Sequence, residues 1–247
     1  MREVLPGAEG NGQKMKNTLI NWSFQWRDIK FALSRGIGLC LDLGCGTGRH
    51  RDAVEQAGWT WVGMDTDTSR GEVTVVGDGM RLPVSDNSFD MVLLWQTLEH
   101  VPQPWVVLAE AKRVLKPGGR IVGSASCLEP FHDVTSYFGF THKGLAKMLA
   151  DSGFADIEIT PGLNAFSLIA RSWFRRLIGP KLGERLGFAL IRGLFIPSVW
   201  TYLFLRGSWN VLKRGRPGPD YKRTVQWLTQ DAPLEFAGHL VFKGNKV

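Results

Sequence analysis

The sequence predicts an α/β protein with a doubly wound sheet, and two observations support this fold class. Short apolar runs bounded by glycine and polar turns alternate with helix-length segments, as in sheets whose parallel strands are joined by crossover helices. The chain has 247 residues, of which 44% are hydrophobic. This is enough for one buried core plus an elaboration, so we expect a seven-stranded sheet with one added segment.

The first six strands and four helices are predicted within residues 22–162. Strands are expected near residues 37–43, 60–65, 73–77, 89–95, 119–126 and 155–160. Helices are expected near residues 22–34, 48–57, 103–115 and 141–152, the last with Thr141 as N-cap and Gly153 after its end. Only seven residues, 66–72, separate the second strand from the third. A full crossover helix does not fit there, so we expect it to be vestigial or missing.

The alternation stops after the sixth strand, where the chain becomes apolar, aromatic and basic. Residues 163–217 carry ten Lys or Arg and one acidic residue, a net charge of +9 that leaves −2 for the remainder. A strand pattern returns at residues 235–244, which we interpret as the seventh strand. The predicted organisation is an N-terminal helical segment (1–36), a core (37–162), a helical insertion between strands six and seven (163–230) and a last strand (231–247).

A glycine-rich turn follows the first strand in the segment LDLGCGTGRH. It places Asp42, Gly44, Gly46 and Gly48 at the carboxyl edge of the sheet, where open α/β sheets bind ligands. Glycine permits close approach of the backbone to a ligand. Arg49 occupies the last glycine position of the dinucleotide pattern G-x-G-x-x-G, so a nicotinamide or flavin site is disfavoured.

Carboxylates also follow the second and third strands. Asp65 lies 23 residues after Asp42, where its side chain can accept hydrogen bonds from both hydroxyls of a ribose. Asp78 can accept a hydrogen bond from an adenine amino group, with the backbone amide of Gly79 nearby. Each could alone be a turn residue, but three carboxylates at successive strand ends predict a nucleoside site.

The segments LDLGCGTG, VGMD, GDGMRLPVSDNSFDMVLLWQTLEHV and AEAKRVLKPGGRIV resemble the motifs of class I methyltransferases of the ubiquinone/menaquinone-biosynthesis (Methyltransferase 11) type. The resemblance covers about residues 37–162 and implies a Rossmann-like fold with S-adenosyl-L-methionine (SAM) as cofactor. It implies that the glycine turn holds the amino acid part of SAM, and that the turns after strands two, three and four hold the ribose, the adenine and the pocket beyond. The cofactor residues assigned in this way are Asp42, Gly44, Cys45, Gly46, Gly48, Asp65, Thr66, Asp78, Gly79, Met80, Trp95 and Gln96.

Three further side chains are candidates for the acceptor side of the site. His100, just after the fourth strand, is the best-placed general base for an acceptor that must lose a proton, although a structural donor is the alternative. His132 and Tyr137 follow the fifth strand, and we expect them to line the substrate pocket unless they serve packing alone.

The insertion raises the question of a partner. Residues 193–205 are thirteen uncharged residues interrupted by Pro197, too few to cross a bilayer, which takes about 20. Basic and aromatic residues at helical spacing suit an anionic membrane surface, and a lid or a homodimer interface is the equal alternative.

The favoured function is methylation of a hydrophobic or lipid-linked small molecule, at oxygen, on the cytoplasmic side of the membrane. Residues 1–16 lack the apolar run of a secretory signal, so we expect a cytoplasmic protein. Cys40, Cys45 and Cys127 lack the spacing of a zinc site, so we expect no metal. The alternatives are an RNA methyltransferase and a non-catalytic SAM-binding scaffold subunit. Nucleic acid is disfavoured because LLWQTLEH does not resemble the N/D-P-P-Y/F turn of base-methylating enzymes.

Overall fold

A computed structural model describes residues 32–71, 73–128, 135–162 and 237–247, together with positions 29, 179, 201, 205, 209 and 211–213. Seven strands in this part form one sheet in the order β3-β2-β1-β4-β5-β7-β6. The strands are β1 (Leu39–Leu43), β2 (Thr60–Asp65), β3 (Val75–Val76), β4 (Phe89–Trp95), β5 (Leu115–Ser126), β6 (Phe154–Pro161) and β7 (His239–Lys246). The helices whose bounds are described are α1 (Arg51–Gln56), α2 (Pro104–Val114) and α3 (His142–Asp151), and short 3₁₀ turns lie at Thr68–Arg70 and Leu98–His100.

The predicted strands and core helices are confirmed, with two of the strands starting and ending where the sequence placed them. The bounds of β2 and β4 coincide with the prediction, and β1 and β3 are shorter. The Thr141 hydroxyl accepts a hydrogen bond from the Gly144 amide at 3.0 Å, which makes it the N-cap of α3. Gly153 follows this helix with φ of +82°. The predicted helix 22–34 and the insertion 163–230 lie almost entirely outside the described residues.

β5 begins earlier than expected because it contains a bulge. Phe89 of β4 pairs with Leu115, and Met91, two residues later, pairs with Arg120. The residues between Leu115 and Arg120 therefore leave the ladder, and Gly118 among them has φ of +73°. The residues between the predicted helix 103–115 and the predicted strand 119–126 thus form an excursion inside a longer strand.

The direction of β7 differs from the expectation of a parallel sheet. β1 to β5 pair in parallel, whereas β7 lies between β5 and β6 and is antiparallel to both. Adjacent antiparallel strands need no crossover helix between them. A run of apolar residues predicts a strand but carries no sign of its direction.

The expectation that the crossover helix between β2 and β3 is vestigial or missing is confirmed for the described residues. They contain only the 3₁₀ turn Thr68–Arg70, which Asp67 caps by accepting a hydrogen bond from the Ser69 amide at 2.9 Å. This short connection passes close to the glycine turn. A β carbon built on Gly71 would lie 2.6 Å from the Cα atom of Thr47.

Both faces of the sheet are buried, as a doubly wound fold requires. Alternate residues of the central strands enter two apolar clusters: Leu41 packs on one face, and Cys40 on the other. Leu108 of α2 and Leu145 of α3 complete the first cluster, and Val54 of α1 belongs to the second. Because β1 pairs in parallel with β2 and β4, the carboxyl ends of these three strands lie along a single edge of the sheet.

The loop between β3 and β4 is fastened to α2 by the guanidinium group of Arg113. It donates to both carboxylate oxygens of Glu110 at 2.8 Å, to Asp86 Oδ1 at 2.7 Å, and to the backbone oxygens of Leu82 and Val84 at 3.0 and 2.9 Å. These contacts place an Arg–Glu pair at the centre of the loop's hydrogen bonds. We assign the arginine a role in scaffold stability.

Arg113→Met is expected to lower the free energy of unfolding by about 2–4 kcal/mol, because it removes five hydrogen bonds to two backbone oxygens and two carboxylates, and Glu110 retains the bond from the Leu82 amide. Urea unfolding at pH 7 measures this loss. Lys147→Met is the matched control, because Lys147 pairs with Asp151 on an exposed helix face at 2.9 Å and its loss should cost less than about 0.5 kcal/mol. Equal effects of the two substitutions would contradict the scaffold role.

Candidate cofactor site

The glycine turn after β1 is held open in a left-handed conformation. Gly44, Gly46 and Gly48 have φ of +78°, +54° and +69°, which side chains rarely tolerate. The amides of Gly44 and Cys45 donate to the Met64 oxygen at the end of β2, at 2.8 and 3.1 Å. A β carbon built on Gly46 would meet no heavy atom within 4 Å, so the turn borders open space at this residue.

Asp65 connects the end of β2 to this turn. Its Oδ2 accepts a hydrogen bond from the Gly46 amide at 2.8 Å, and its Oδ1 accepts from the Asp67 amide at 3.1 Å. Because each carboxylate oxygen has two lone pairs, both retain capacity for another donor. The structure thus brings the predicted ribose carboxylate against the predicted glycine turn, and Thr66 is exposed beside it.

Asp42 lies beneath the turn and is fully buried. Its Oδ2 accepts a hydrogen bond from Trp61 Nε1 at 3.0 Å, whereas its Oδ1 has no hydrogen-bond partner among the described residues. Burial raises the pKa of Asp42 to about 6, the negative charge of Asp65 adds to the increase, and the Trp61 bond and the positive charge of Arg49 oppose it. An unsatisfied buried carboxylate oxygen is suited to a cationic ligand group.

The turn after β3 forms the next side of the site. Asp78 is exposed, and its Oδ1 accepts a hydrogen bond from the Met80 amide at 2.9 Å. Part of its carboxylate therefore caps its own turn, the alternative that the sequence left open. A β carbon on Gly79 would lie 3.7 Å from Leu43 and Val107, so this turn packs beside the end of β1.

Gln96 directly follows β4 and has a strained backbone conformation. Its φ is +56°, unusual for a residue with a side chain. Its backbone amide donates to the Ser124 oxygen at 3.0 Å, and its Nε2 lies 3.1 Å from Ser124 Oγ. Both contacts tie it to β5. Such strain is often found at functional sites, and Trp95, the residue before it, is half-buried against the His50 ring.

Thr97 links the end of β4 to the glycine turn, although no pattern in the sequence singles it out. Its hydroxyl donates to the Leu43 oxygen at 3.1 Å. A β carbon on Gly44 would lie 2.7 Å from the Thr97 side chain, so only glycine fits opposite it. The contact of Thr97 with Gly44 depends on how two segments distant in sequence meet, and a single sequence does not show this.

The acceptor-side residues lie at the same edge. His100 is half-buried in the turn Leu98–His100, and its amide donates to the Thr97 oxygen at 3.0 Å. Glu99 is buried, and its backbone oxygen accepts from the Tyr137 amide at 2.7 Å. The segment after β5 therefore lies against the β4 turn, with 57% of Tyr137 exposed. His132 lies outside the described residues, and the roles of His100 and Tyr137 stay predictions.

Two aromatic residues that the sequence did not single out for the site, Trp61 and His50, lie beside Asp42. Trp61 donates to its carboxylate, as described above, and the His50 ring lies edge-on to Trp95 with the ring centroids 5.9 Å apart. Burial, with the charge of Arg49, lowers the pKa of His50 to about 4, so its imidazole is neutral at physiological pH. Burial likewise raises the pKa of the Cys45 thiol to about 12, and this side chain packs in the second apolar cluster.

The chain is similar to known proteins over this region. Residues 41–123 match the family of methyltransferase domains. An uncharacterised methyltransferase of Mycobacterium bovis is 38% identical over 103 residues, which cover 37% of this chain and 41% of the relative. One from Mycobacteroides abscessus is 34% identical over 133 residues, covering 46% and 51%. The matched region thus spans about half the length of these relatives, or less.

Solved structures share the fold at low sequence identity. A SAM-dependent methyltransferase of Thermotoga maritima superposes with a TM-score of 0.52 at 17% identity, over 94% of this chain and 89% of the other. One of Archaeoglobus fulgidus gives 0.56 at 14% identity, over 89% and 90%. A Haemonchus contortus phosphoethanolamine N-methyltransferase, solved with S-adenosylhomocysteine, gives 0.52 at 18% identity, over 94% and 56%. The chain therefore has a region that matches methyltransferase domains, and it shares the fold of these SAM-dependent methyltransferases.

Proposed function

We propose that the chain is a SAM-dependent methyltransferase whose acceptor is a hydrophobic or lipid-linked small molecule, methylated at oxygen. The observation that supports the proposal is the arrangement of residues at the carboxyl ends of β1 and β2. There Asp65 accepts a hydrogen bond from the amide of Gly46, which borders open space, and the nearby Asp42 has a buried oxygen with no hydrogen-bond partner among the described residues. A carboxylate, a glycine turn and a second carboxylate at one sheet edge match the chemistry of a nucleoside that carries an ammonium group.

The residues present fit SAM part by part. Asp65 has acceptor capacity for a ribose diol, and the unsatisfied Oδ1 of Asp42 suits the α-ammonium group. The turn of Asp78–Met80 beside β1 would hold the adenine. When bound, SAM supplies an electrophilic methyl group, so the main task of the protein is to orient an acceptor in a dry pocket.

His100 is the proposed general base for an oxygen acceptor. It lies in the turn directly after β4, at the sheet edge that carries the cofactor residues. The backbone bond from Tyr137 to Glu99 brings the segment after β5 over this turn, and the exposed Tyr137 ring is available to an apolar acceptor. An alcohol or phenol, such as a quinol, would lose its proton to a neutral imidazole at this position.

The test is methyl transfer from radiolabelled SAM to a panel of quinols, phenols and lipid-linked sugars, with bulk RNA as a separate arm. We expect turnover with a hydrophobic acceptor and none with RNA. His100→Ala should lower kcat by about 100-fold without changing the affinity for S-adenosylhomocysteine (SAH). Full turnover in His100→Ala would reject the base. Absence of SAH binding to the wild-type chain would reject the function as a whole.

We further propose that the basic segment attaches the protein to an anionic membrane. Described helical positions there include Leu205, Trp209 and Leu212, whose side chains are 60%, 60% and 82% exposed. Spacings of four and three residues place them on one helix face, and the Lys213 ammonium lies 5.0 Å from the centre of the Trp209 ring. None of the described helices has the length and hydropathy to span a bilayer. An exposed apolar face in a segment of charge +9 supports binding in the plane of an anionic surface.

Flotation with anionic phosphatidylglycerol vesicles and neutral phosphatidylcholine vesicles measures this attachment. We expect the wild-type chain to float with anionic vesicles at low salt, and Trp209→Glu/Leu212→Glu to bind at least about tenfold more weakly. Ile37→Glu is the control, because Ile37 is 93% exposed but lies before β1. Flotation of the double variant equal to wild type would favour a lid or dimer role for the segment.

A further inference from the structure

Asp42 and His50 form a buried polar pair beneath the glycine turn. Asp42 is 0% exposed and His50 is 8% exposed. Asp42 Oδ1 and His50 Nδ1 both lack a hydrogen-bond partner among the described residues. Buried polar atoms without partners are uncommon in folded proteins. Two of them on side chains that approach to 3.9 Å, next to the glycine turn, indicate that a ligand completes the arrangement.

The hydrogen bond from Arg49 determines which nitrogen of His50 carries the proton. Arg49 Nε donates to His50 Nε2 at 3.2 Å, so Nε2 is an acceptor and the proton of the neutral ring lies on Nδ1. His50 Nδ1 lies 3.9 Å from Asp42 Oδ2, beyond hydrogen-bond distance. A shift of about 1 Å would close this contact.

Trp61 already donates to the same oxygen of Asp42. If His50 also donates to Oδ2, both lone pairs of that oxygen are engaged and the rotation of the carboxylate is fixed. Oδ1 then remains the acceptor for a cationic group above it. The two donors thus act on the carboxylate, and neither needs to touch the ligand.

We propose that His50 is a positioning residue: its Nδ1–H orients the Asp42 carboxylate so that Oδ1 receives the ammonium group of the amino acid part of SAM. This inference rests on the proposed function and deepens it. It predicts that His50 affects binding only of cofactor forms that carry the amino acid part. A residue that merely supports the fold would affect every form equally.

The test compares two ligands by calorimetry, SAH and 5′-methylthioadenosine, which has the nucleoside and sulfur but no amino acid part. His50→Leu should weaken SAH binding about tenfold and leave methylthioadenosine binding within about twofold. His50→Asn, whose amide donor lies close to the position of Nδ1, should recover most of the SAH affinity. It also serves as the second variant where leucine impairs folding.

The outcomes separate the inference from the function that it rests on. Equal weakening of both ligands by His50→Leu, or no weakening of SAH, would overturn the positioning role while the chain remains a SAM-binding protein. The positioning role would also be overturned if His50→Asn weakened SAH binding as much as His50→Leu does. A wild-type chain that binds neither ligand would overturn the proposed function and this inference together.

Discussion

Gly46→Ala is expected to weaken SAH binding by about 5- to 150-fold, equivalent to about 1–3 kcal/mol, while the protein stays folded. The amide of Gly46 donates to Asp65, and a β carbon at this residue would enter space that no protein atom within 4 Å occupies. In the proposed function this space belongs to the cofactor. The added methyl group would therefore collide with the ligand and with nothing in the free protein.

Gly118→Ala provides the matched control for this substitution. Gly118 has φ of +73°, against +54° for Gly46, and a β carbon there also has no heavy atom within 4 Å. Both variants therefore incur the left-handed backbone cost of about 1–2 kcal/mol. Thermal unfolding should show similar losses, and calorimetry with SAH should separate the two. If Gly46→Ala retained wild-type affinity, the cofactor would not lie against the glycine turn.

Local patterns were sufficient to predict much of this site. The apolar run of Thr60–Asp65 with a carboxylate at its end, and the glycine spacing after β1, are signals contained in a few neighbouring residues. The parallel pairing of β1 with β2 then brings Asp65 to Gly46. Because the carboxyl ends of parallel strands share one edge, the position of each residue along its strand was enough to predict that these residues meet.

The remaining features depend on contacts between distant segments. Trp61 looks like an ordinary strand residue, and its role follows only from the Asp42 oxygen 3.0 Å from its indole nitrogen. Thr97 contacts Leu43 across 54 positions of sequence. The sequence predicts only that His50 belongs to a helix, whereas in the structure its buried ring lies beside the Asp42 carboxylate. Alternation of apolar residues predicts burial and spacing, but not which polar atoms are buried together or left without partners.

Asp42→Asn is expected to make the free protein more stable at neutral pH and at the same time to weaken its binding of SAH. Burial raises the pKa of Asp42 to about 6 from 3.8, so the folded state holds this proton more tightly than the unfolded state does. The stability that Asp42 contributes is complete below pH 3.8 and is lost as the pH rises through 6. Asparagine carries no charge and can still accept the Trp61 bond, so the gain above pH 7 should be about 1–3 kcal/mol.

His50 acts in the opposite direction over an overlapping range of pH. Its pKa is lowered from 6.5 to about 4, so the unfolded state binds the proton more tightly and stability is lost as the pH falls through this window. The two contributions oppose each other between pH 4 and 6 in the wild-type chain. Removing the Asp42 titration should therefore give a variant whose stability falls more steeply on acidification than that of the wild-type protein.

Urea unfolding of both proteins from pH 4 to 8 measures this difference, which should be near zero at pH 4 and largest above pH 7. Calorimetry at pH 7.5 should then show SAH affinity lowered about 10- to 100-fold, because the ammonium group loses its charged partner, and methylthioadenosine affinity retained. A variant less stable than wild type at pH 8 would show that the charged carboxylate stabilises the free protein. Higher stability of the variant with lower SAH affinity would mean that the charge of Asp42 destabilises the free protein but is needed for ligand binding.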